Sequence, residues 1–214
     1  MLRRLSWVLM VAGTLWGSVV IDRIAVIVAT HVVKTSDIDR DLRATQFLNA
    51  ERPDFSTDAK RKAAERLIDQ TIIRDQIERG DYSRPSAADV ESMLTRLRQE
   101  RFGGSSARMK EDLSRYGLSE EQLRTQLQWQ LEVLKYIEQR FRPGVLVTEE
   151  EVKTYYDAHL ADLKRQFPQV KTYEGMAQKI RASLEGERLN QNFEQGLSAA
   201  RKRTRIEYRQ GAFQ

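Results

Sequence analysis

The sequence of 214 residues has no cysteine and only two histidines. Without cysteine, the chain can form no disulfide framework and has no thiolate for nucleophilic attack or metal binding. A metal site built on histidine needs further ligands at matched spacing, and neither His31 nor His159 lies in such a cluster. His159 falls on or beside the apolar face of a predicted helix, so we expect a half-buried structural histidine there. These absences argue against thiol chemistry and against a metal site.

Motifs for nucleotide binding and for nucleophilic catalysis are absent as well. There is no P-loop, no dinucleotide-binding fingerprint and no G-x-S-x-G, and the glycine-rich "RFGGSS" (101–106) lacks the lysine of a phosphate loop. The acidic stretches "SEEQ" and "TEEEV" fall in the first turns of predicted helices, where the helix dipole favours negative charge. The net charge of +5 is spread along the chain, unlike a one-sided nucleic-acid footprint. We predict no catalytic residue, no cofactor and no nucleic-acid partner.

The N-terminus has the features of an export signal. Met1-Leu2-Arg3-Arg4 is a basic start, and the stretch from Leu5 to Val20 carries no charge and is mostly apolar. This stretch is shorter than the roughly 20 apolar residues that a membrane-spanning helix needs. A longer span would include Asp22 and Arg23, which are costly inside a bilayer. We predict a signal peptide at residues 1–18 and no stable membrane insertion after its removal; the alternative is an uncleaved N-terminal anchor.

The residues after the signal predict a mainly α fold with a small β-sheet. The β-branched residues from Val20 to Val33, interrupted at Ala29-Thr30-His31, are typical of a hairpin. A first helix is expected from Asp37 to Ala50 with Ser36 as its N-cap. Further helices are expected to begin near Ser56, Pro85-Ser86, Ser119, Thr148 and Tyr173, with a short helix ending at Tyr116. Arg205 to Tyr208 resembles a strand, which we expect to pair with the hairpin and close the sheet.

The helix that begins after Ser119 has the strongest pattern in the chain. Its capping box, Ser119 to Gln122, precedes two apolar stripes at helical spacing, so this helix should contact more than one neighbour. The first stripe consists of Leu123, Leu127, Leu131, Leu134 and Phe141. The second consists of Trp129, Val133 and Tyr136.

In order and spacing, four stretches resemble the SurA-type chaperones. "VIDRIAVIVATHVVKTSDIDRDL" is similar to their opening hairpin and first helix, and "AAERLIDQTIIRDQIER" to their second helix. "LSRYGLSEEQLRTQLQWQLEVLKYIEQRF" resembles their long helix, and "VTEEEVKTYYDAHLADL" the helix that leads out of the chaperone domain. The resemblance implies a chaperone domain at residues 19–167. It also implies a C-terminal helix and strand at residues 168–214 that complete the same domain.

The resemblance also implies a function. Members of this family bind unfolded exported proteins, such as outer-membrane protein precursors, in the periplasm without ATP. In the best-known members a parvulin prolyl-isomerase domain follows the exit helix. Here the last helix is predicted to begin at Tyr173, soon after Leu163, which leaves no room for such a domain, and its active-site histidine pair is absent. We expect a periplasmic holdase that is not an enzyme. The alternatives are an isomerase-related folding factor, an assembly factor with one partner, or a protein anchored in the inner membrane and facing the periplasm.

Six apolar or aromatic side chains are candidates for contact with unfolded clients, because flexible and aromatic surfaces suit promiscuous binding. They are Met93, Phe102, Met109, Tyr116, Trp129 and Tyr136. The alternative for each is a place in the core. Phe102 and Met109 flank the glycine joint at residues 103–104, where we expect exposure. We expect Trp129 in the core and leave Tyr136 open.

Overall fold

A computed structural model describes residues 22–170 and 172–213 of the chain. The predicted signal peptide, residues 1–18, lies outside the described residues. Within the described ranges the protein consists of seven α-helices and one three-stranded antiparallel sheet. The expected fold class, mainly α with a sheet made from an N-terminal hairpin and a C-terminal strand, is therefore confirmed.

The elements follow one another with short connections. Their order is β1 (Ile24–Val28), β2 (His31–Lys34), α1 (Thr35–Leu48), α2 (Thr57–Arg79), α3 (Ala87–Phe102), α4 (Ser106–Arg115), α5 (Glu120–Phe141), α6 (Glu149–Gln166), α7 (Tyr173–Arg203) and β3 (Ile206–Tyr208). A 3-10 turn, Arg142–Gly144, ends α5. No helix in the described ranges is long and apolar enough to cross a membrane.

Serine and threonine caps begin most of the helices, as the sequence predicts. The hydroxyls of Ser56, Ser86, Ser119 and Thr148 each accept a hydrogen bond from a backbone N–H of the first turn. Gln122 and Glu151 complete the predicted capping boxes of α5 and α6. These local bonds satisfy backbone donors that have no partner inside the helix. The starts of these helices are thus determined by residues adjacent in the sequence.

The start of α1 differs from the prediction, because Ser36 is not its N-cap. Strand β2 runs directly into α1, and Asp37 accepts a hydrogen bond from the backbone N–H of Lys34 at 3.0 Å. The carboxylate of Asp22 accepts hydrogen bonds from the hydroxyls of Thr35 and Ser36. The hydrogen bond from Ser36 holds the pKa of Asp22 below its ordinary value. Asp22, which precedes the hairpin, therefore supplies hydrogen-bond acceptors to the first residues of α1, the helix that follows the hairpin.

The sheet joins the two ends of the chain. Its order is β2-β1-β3, so the hairpin strand β1 lies in the middle. Val26 pairs with Tyr208 and Val28 with Ile206. The backbone N–H of Ala29 donates to the carbonyl of Arg205 at 2.8 Å, which extends the pairing to the hairpin turn. Strand β3 thus covers an edge of β1 that would otherwise be open to another chain.

Four apolar clusters hold the described residues together. The sheet core contains residues of β1, β2, α1, α2 and the end of α7, including Val26, Ile68 and Ala200. A second cluster packs the end of α1 against α3, α4 and the first half of α5. A third joins the end of α2 to the end of α5, with Phe193 and Leu197 of α7 packed against it.

The fourth cluster belongs to a helical hairpin that we call the arm, residues 145–184. It comprises α6, the connection to α7, the first turns of α7 and the short segment before α6. Val147 and Val152 flank the capping box of α6 and belong to the same cluster, the arrangement of a hydrophobic staple. The apolar cluster of the arm is therefore distinct from the three clusters of the body.

Candidate client-binding surfaces

Most of the six candidate side chains are packed inside the protein. Met109 is 0% exposed, Tyr136 2% and Trp129 8%. Met93, Phe102 and Tyr116 are partly buried against the α3–α4 cluster. The exposure expected for Met109 is wrong, because α4 folds back from the glycine joint and inserts this side chain between α3 and α5. The core position expected for Trp129 is confirmed, and Tyr136 is buried as well.

Phe102 and Tyr116 pack the end of α1 against α3 and α4. The ring of Phe102 stacks on that of Phe47 with centroids 6.3 Å apart, and Tyr116 meets Phe47 edge-on at 5.5 Å. The hydroxyl of Tyr116 donates to the carbonyl of Glu51 at 2.8 Å. The guanidinium of Arg101 lies 4.8 Å from the Phe47 ring centroid. Such contacts stabilise the packing of aromatic residues and give these two candidates a structural role.

Tyr136 and Trp129 pack the second stripe of α5 onto α2. The hydroxyl of Tyr136 donates to the side-chain carbonyl of Gln76, and its ring meets Tyr82 edge-on at 5.0 Å. Burial raises the pKa of Tyr136 above its ordinary value. Arg74 lies over the Trp129 ring at 4.4 Å. Trp129 also lines a groove of about 420 Å³ between β2, α1, α2 and α5, so its exposed edge faces that groove.

A large opening in the described part of the chain is a cleft that we call the α2–α7 cleft. It lies between the β1–β2 turn, the second half of α2, the end of α5 and the last turns of α7, and its volume is about 710 Å³. This volume falls within the roughly 300–1,000 Å³ of typical ligand clefts. Val28, Ile72 and Ala200 of the sheet core lie buried beneath the cleft, and Phe141 and Ala199 supply accessible apolar lining. Polar and charged side chains of the β1–β2 turn and of α2, α5 and α7 form most of the rest.

The arm carries a more open groove of about 480 Å³ between α6 and α7. Tyr155, His159 and Leu184 line it. The His159 ring stacks on Tyr155 with centroids 4.2 Å apart, and its Nδ1 lies 2.9 Å from the Tyr155 carbonyl oxygen. His159 is exposed, not half-buried as expected, because α6 bends at this residue, where φ is −121° and ψ is 17°.

An ion pair closes one side of the arm groove. Arg188 of α7 donates to the carboxylate of Glu151 at 2.7 Å, and the backbone N–H of Thr148 donates to the same group at 2.8 Å. The hydrogen bonds from Arg188 and from Thr148 lower the pKa of Glu151 to about 2. Glu151 therefore both caps α6 and links it to α7.

The exposed apolar side chains were not among the sequence candidates. Leu146, in the segment of the arm that precedes α6, is 74% exposed, and Leu134 on α5 is 55% exposed. Leu134 was assigned to the first apolar stripe, but it faces solvent, because the cluster that covers Leu123 and Leu127 does not extend to it. Leu146 lies outside the hydrophobic staple of Val147 and Val152. The sequence could have indicated that Leu146 is exposed, because this residue lies in the short connection between the helix-ending Pro143-Gly144 and the cap of α6.

Sequence analysis also missed the α2–α7 cleft and its arginines. Arg79, Arg140 and Arg203 each lie in the last turn of a helix. A cation in this position is expected from the helix dipole alone, so these arginines do not by themselves indicate a binding site in the sequence. Their convergence on one cleft appears only when α2, α5 and α7 are packed together.

None of these surfaces carries a cluster of metal-ligating side chains. Within residues 22–170 and 172–213, no group of three or more histidine, cysteine, aspartate or glutamate side chains could hold a metal ion. The surfaces instead combine apolar area with arginine, glutamine and carboxylate side chains. The sequence matches no protein-family model, and no curated protein matches it.

Proposed function

We propose that this protein is an ATP-independent holdase chaperone for unfolded exported polypeptides, among them outer-membrane protein precursors. The observation that carries the proposal is the α2–α7 cleft, an opening of about 710 Å³ with an apolar floor and a polar rim. Unfolded chains expose apolar residues and unpaired strand edges, which aggregate. A cleft that covers such a segment for a short time keeps it from other unfolded chains.

The side chains around the cleft are suited to adaptable contacts. Arg79, Arg140 and Arg203 are long and flexible, and their aliphatic parts can cover apolar surface while their polar ends stay in water. A binding surface of this kind tolerates many sequences, as a holdase requires. The methionines proposed for this task, Met93 and Met109, pack in the α3–α4 cluster. In our proposal the arginine side chains of the cleft take over their role.

The resemblance to SurA-type chaperones supports the same proposal and suggests the periplasm as the place of action. The absence of nucleotide-binding motifs in the sequence suits a compartment without ATP. In our proposal residues 1–18 direct export and are then removed. An uncleaved anchor in the inner membrane, with the described residues facing the periplasm, would expose the same surfaces to the same clients.

The proposal is tested by aggregation of a denatured client. A chemically denatured outer-membrane protein is diluted into buffer with increasing amounts of the purified protein, and light scattering is followed over time. We expect scattering to fall as the ratio of protein to client rises, without added nucleotide. Unchanged scattering at a several-fold molar excess of the protein would contradict the holdase function.

The same samples separate a holdase from an isomerase. The connection from α6 to α7 spans residues 167–172, which leaves no space for an inserted isomerase domain. We therefore expect no acceleration of a refolding step limited by proline isomerisation when the protein is present at a small fraction of the substrate concentration. A clear acceleration under these conditions would favour the isomerase alternative.

A further inference from the structure

The charge of the α2–α7 cleft is one-sided. Four arginines line it, Arg79, Arg140, Arg203 and Arg205, against the single carboxylate of Asp75. Asp75 pairs with Arg79 at 2.8 Å, and Arg205 pairs with Glu207 of β3. Within the described ranges, Arg140 and Arg203 have no carboxylate at ion-pair distance. Two guanidinium groups of the cleft thus remain available to an outside partner.

The helix dipole does not account for this arrangement. A cation in the last turn of a helix is favourable wherever the side chain points. Other last-turn arginines of the described helices engage acidic neighbours: for example, Arg201 at the end of α7 pairs with Asp69 and Glu65, and Arg115 at the end of α4 pairs with Glu111. Arg140 and Arg203 instead line a partly apolar cleft, and neither has a carboxylate at ion-pair distance among the described residues. Their arrangement therefore favours an anionic group supplied by a ligand.

The cleft also offers apolar surface to the same ligand. Phe141 lines its α5 side and is partly exposed, and Ala199 of α7 is exposed, whereas Val28 and Ile72 are buried beneath them. Phe141 meets Tyr136 and Phe193 edge-on, both with centroids 5.8 Å apart. Because its ring is held among these neighbours, it is a poor platform for stacking a nucleic-acid base, which needs a free ring face. The combination fits a peptide better than an oligonucleotide.

We propose that the α2–α7 cleft selects unfolded polypeptide segments in which acidic side chains lie next to apolar ones. The apolar residues of the segment pack against Phe141 and Ala199. Its carboxylates pair with the guanidinium groups of Arg140 and Arg203. The proposal rests on the holdase function and adds the class of client segment that the protein prefers.

Binding of two labelled peptides by the purified protein tests this selectivity. Both peptides are short and share the same leucine and valine positions; one carries aspartate and the other lysine at the remaining positions. Fluorescence anisotropy then gives a Kd for each. We expect the acidic peptide to bind about tenfold more tightly, as two partly exposed ion pairs would allow. The difference should shrink with added salt. Equal affinity for the two peptides would overturn the proposal, and this comparison depends on no variant.

Charge reversal locates the selectivity in the cleft. Arg140→Glu combined with Arg203→Glu should reverse the preference, so that the lysine peptide binds more tightly. The matched control is Arg96→Glu combined with Lys110→Glu, exposed positions of α3 and α4 with the same change in net charge. This control should keep the preference for the acidic peptide. A loss of preference in both double variants would place the selectivity in the overall charge and overturn the cleft proposal.

Two further outcomes separate the cleft proposal from the holdase function. If the protein suppresses aggregation but binds neither peptide, the cleft proposal fails and the holdase function stands. If it binds the acidic peptide selectively but does not suppress aggregation, the cleft assignment stands and the holdase function fails. Tighter binding of a single-stranded oligonucleotide than of the acidic peptide would overturn the proposal in favour of a phosphate ligand.

Discussion

At the scale of single residues, Asp41 is the most unusual charge among the described residues. Its side chain, on α1, is only 3% exposed and accepts hydrogen bonds from Arg66 of α2, with Nη2 at 2.6 Å and Nε at 3.1 Å. Gln70 donates a further bond at 3.3 Å. Burial raises the pKa of Asp41 above its ordinary value, although Arg66 acts in the opposite direction. The pairing of α1 with α2 therefore depends on a carboxylate that is costly to keep ionised.

Replacing Arg66 with methionine should destabilise the protein near neutral pH. Arg66→Met keeps an apolar stem but leaves the ionised Asp41 without its cation. A fully buried pair would lose about 3–5 kcal/mol, and we expect about 1–3 kcal/mol because the Arg66 side chain is 38% exposed. Urea unfolding of the variant and the parent protein gives the difference in free energy of unfolding.

The loss of stability caused by Arg66→Met should be larger near neutral pH than near pH 4. A raised pKa in the folded state means that the folded protein binds the proton of Asp41 more readily than the unfolded chain. Stability from this group is therefore present at low pH and lost as pH rises through the folded-state pKa. Without Arg66 that pKa rises further, so the loss caused by Arg66→Met should shrink near pH 4, where Asp41 is more often neutral. Arg40→Met, which breaks the exposed pair with Asp37, serves as a control with a change below about 0.5 kcal/mol. An equal loss at both pH values would show that the ionisation of Asp41 is not the cause.

At the scale of elements, α7 is the helix that joins the arm to the body. It runs without interruption for 31 residues although it contains three glycines. Its N-terminal turns belong to the arm cluster, Phe193 and Leu197 pack against the α2–α5 cluster, and Ala200 lies in the sheet core. Tertiary contacts along its length thus outweigh the low helix propensity of glycine.

Two of these glycines differ in their surroundings and form a matched pair for substitution. Nothing lies within 4 Å of a Cβ added at Gly186, so Gly186→Ala should raise the free energy of unfolding by about 0.5–1 kcal/mol through helix propensity. A Cβ at Gly196 would lie 2.9 Å from Cε1 of Phe141. Since that ring is held by Tyr136 and Phe193, its displacement should cost about 1–3 kcal/mol and leave Gly196→Ala net destabilising. Thermal and urea unfolding measure both variants; equal stabilisation by the two would mean that the Phe141 ring moves aside freely.

Features formed within one element could be predicted from the sequence, whereas features formed between distant elements could not. The caps at Ser119 and Thr148 could be predicted because each bond forms within one turn. Strand β3 could be placed because its alternating pattern needed a partner and the hairpin offered an edge. The exposure of Leu134 and the burial of Met109 could not be predicted, because an apolar stripe does not say which neighbour covers it. The α2–α7 cleft depends on three helices that are distant in the sequence, so its residues have no common local pattern.

At the scale of the whole molecule, the two ends of the chain share one core. Strand β3 pairs with β1, and Ala200 and Ala212 pack in the same cluster as Val26 and Ile68. Arg201 forms ion pairs with Asp69 and Glu65 of α2. The hydroxyl of Tyr208 donates to Glu65 at 2.6 Å. Hydrogen bonds, ion pairs and apolar contacts thus all connect the C-terminal segment to the N-terminal elements.

This closure predicts the effect of removing the C-terminal segment. Deleting the chain from Thr172 onward removes α7 and β3, which uncovers an edge of β1 and the apolar face of α2 that carries Ile72 and Ile73. A two-stranded hairpin is marginal in water, so we expect the remaining residues to lose cooperative unfolding and to aggregate. Circular dichroism during heating, together with light scattering, measures both effects.

A shorter deletion distinguishes loss of the shared core from loss of chain length. Ending the chain after Arg209 keeps β3 and the hydrogen bond from the Arg209 N–H to the Ala25 carbonyl, but removes the buried Ala212. This variant should still melt cooperatively, at a somewhat lower temperature. The long separation of the partners along the chain is no obstacle to this closure, because the entropy of closing a loop rises only logarithmically with its length. If the protein cut at Thr172 also melted cooperatively, at an unchanged temperature, the N-terminal elements would be a domain of their own. The pairing of β3 with β1 would then contribute little to the stability of the fold.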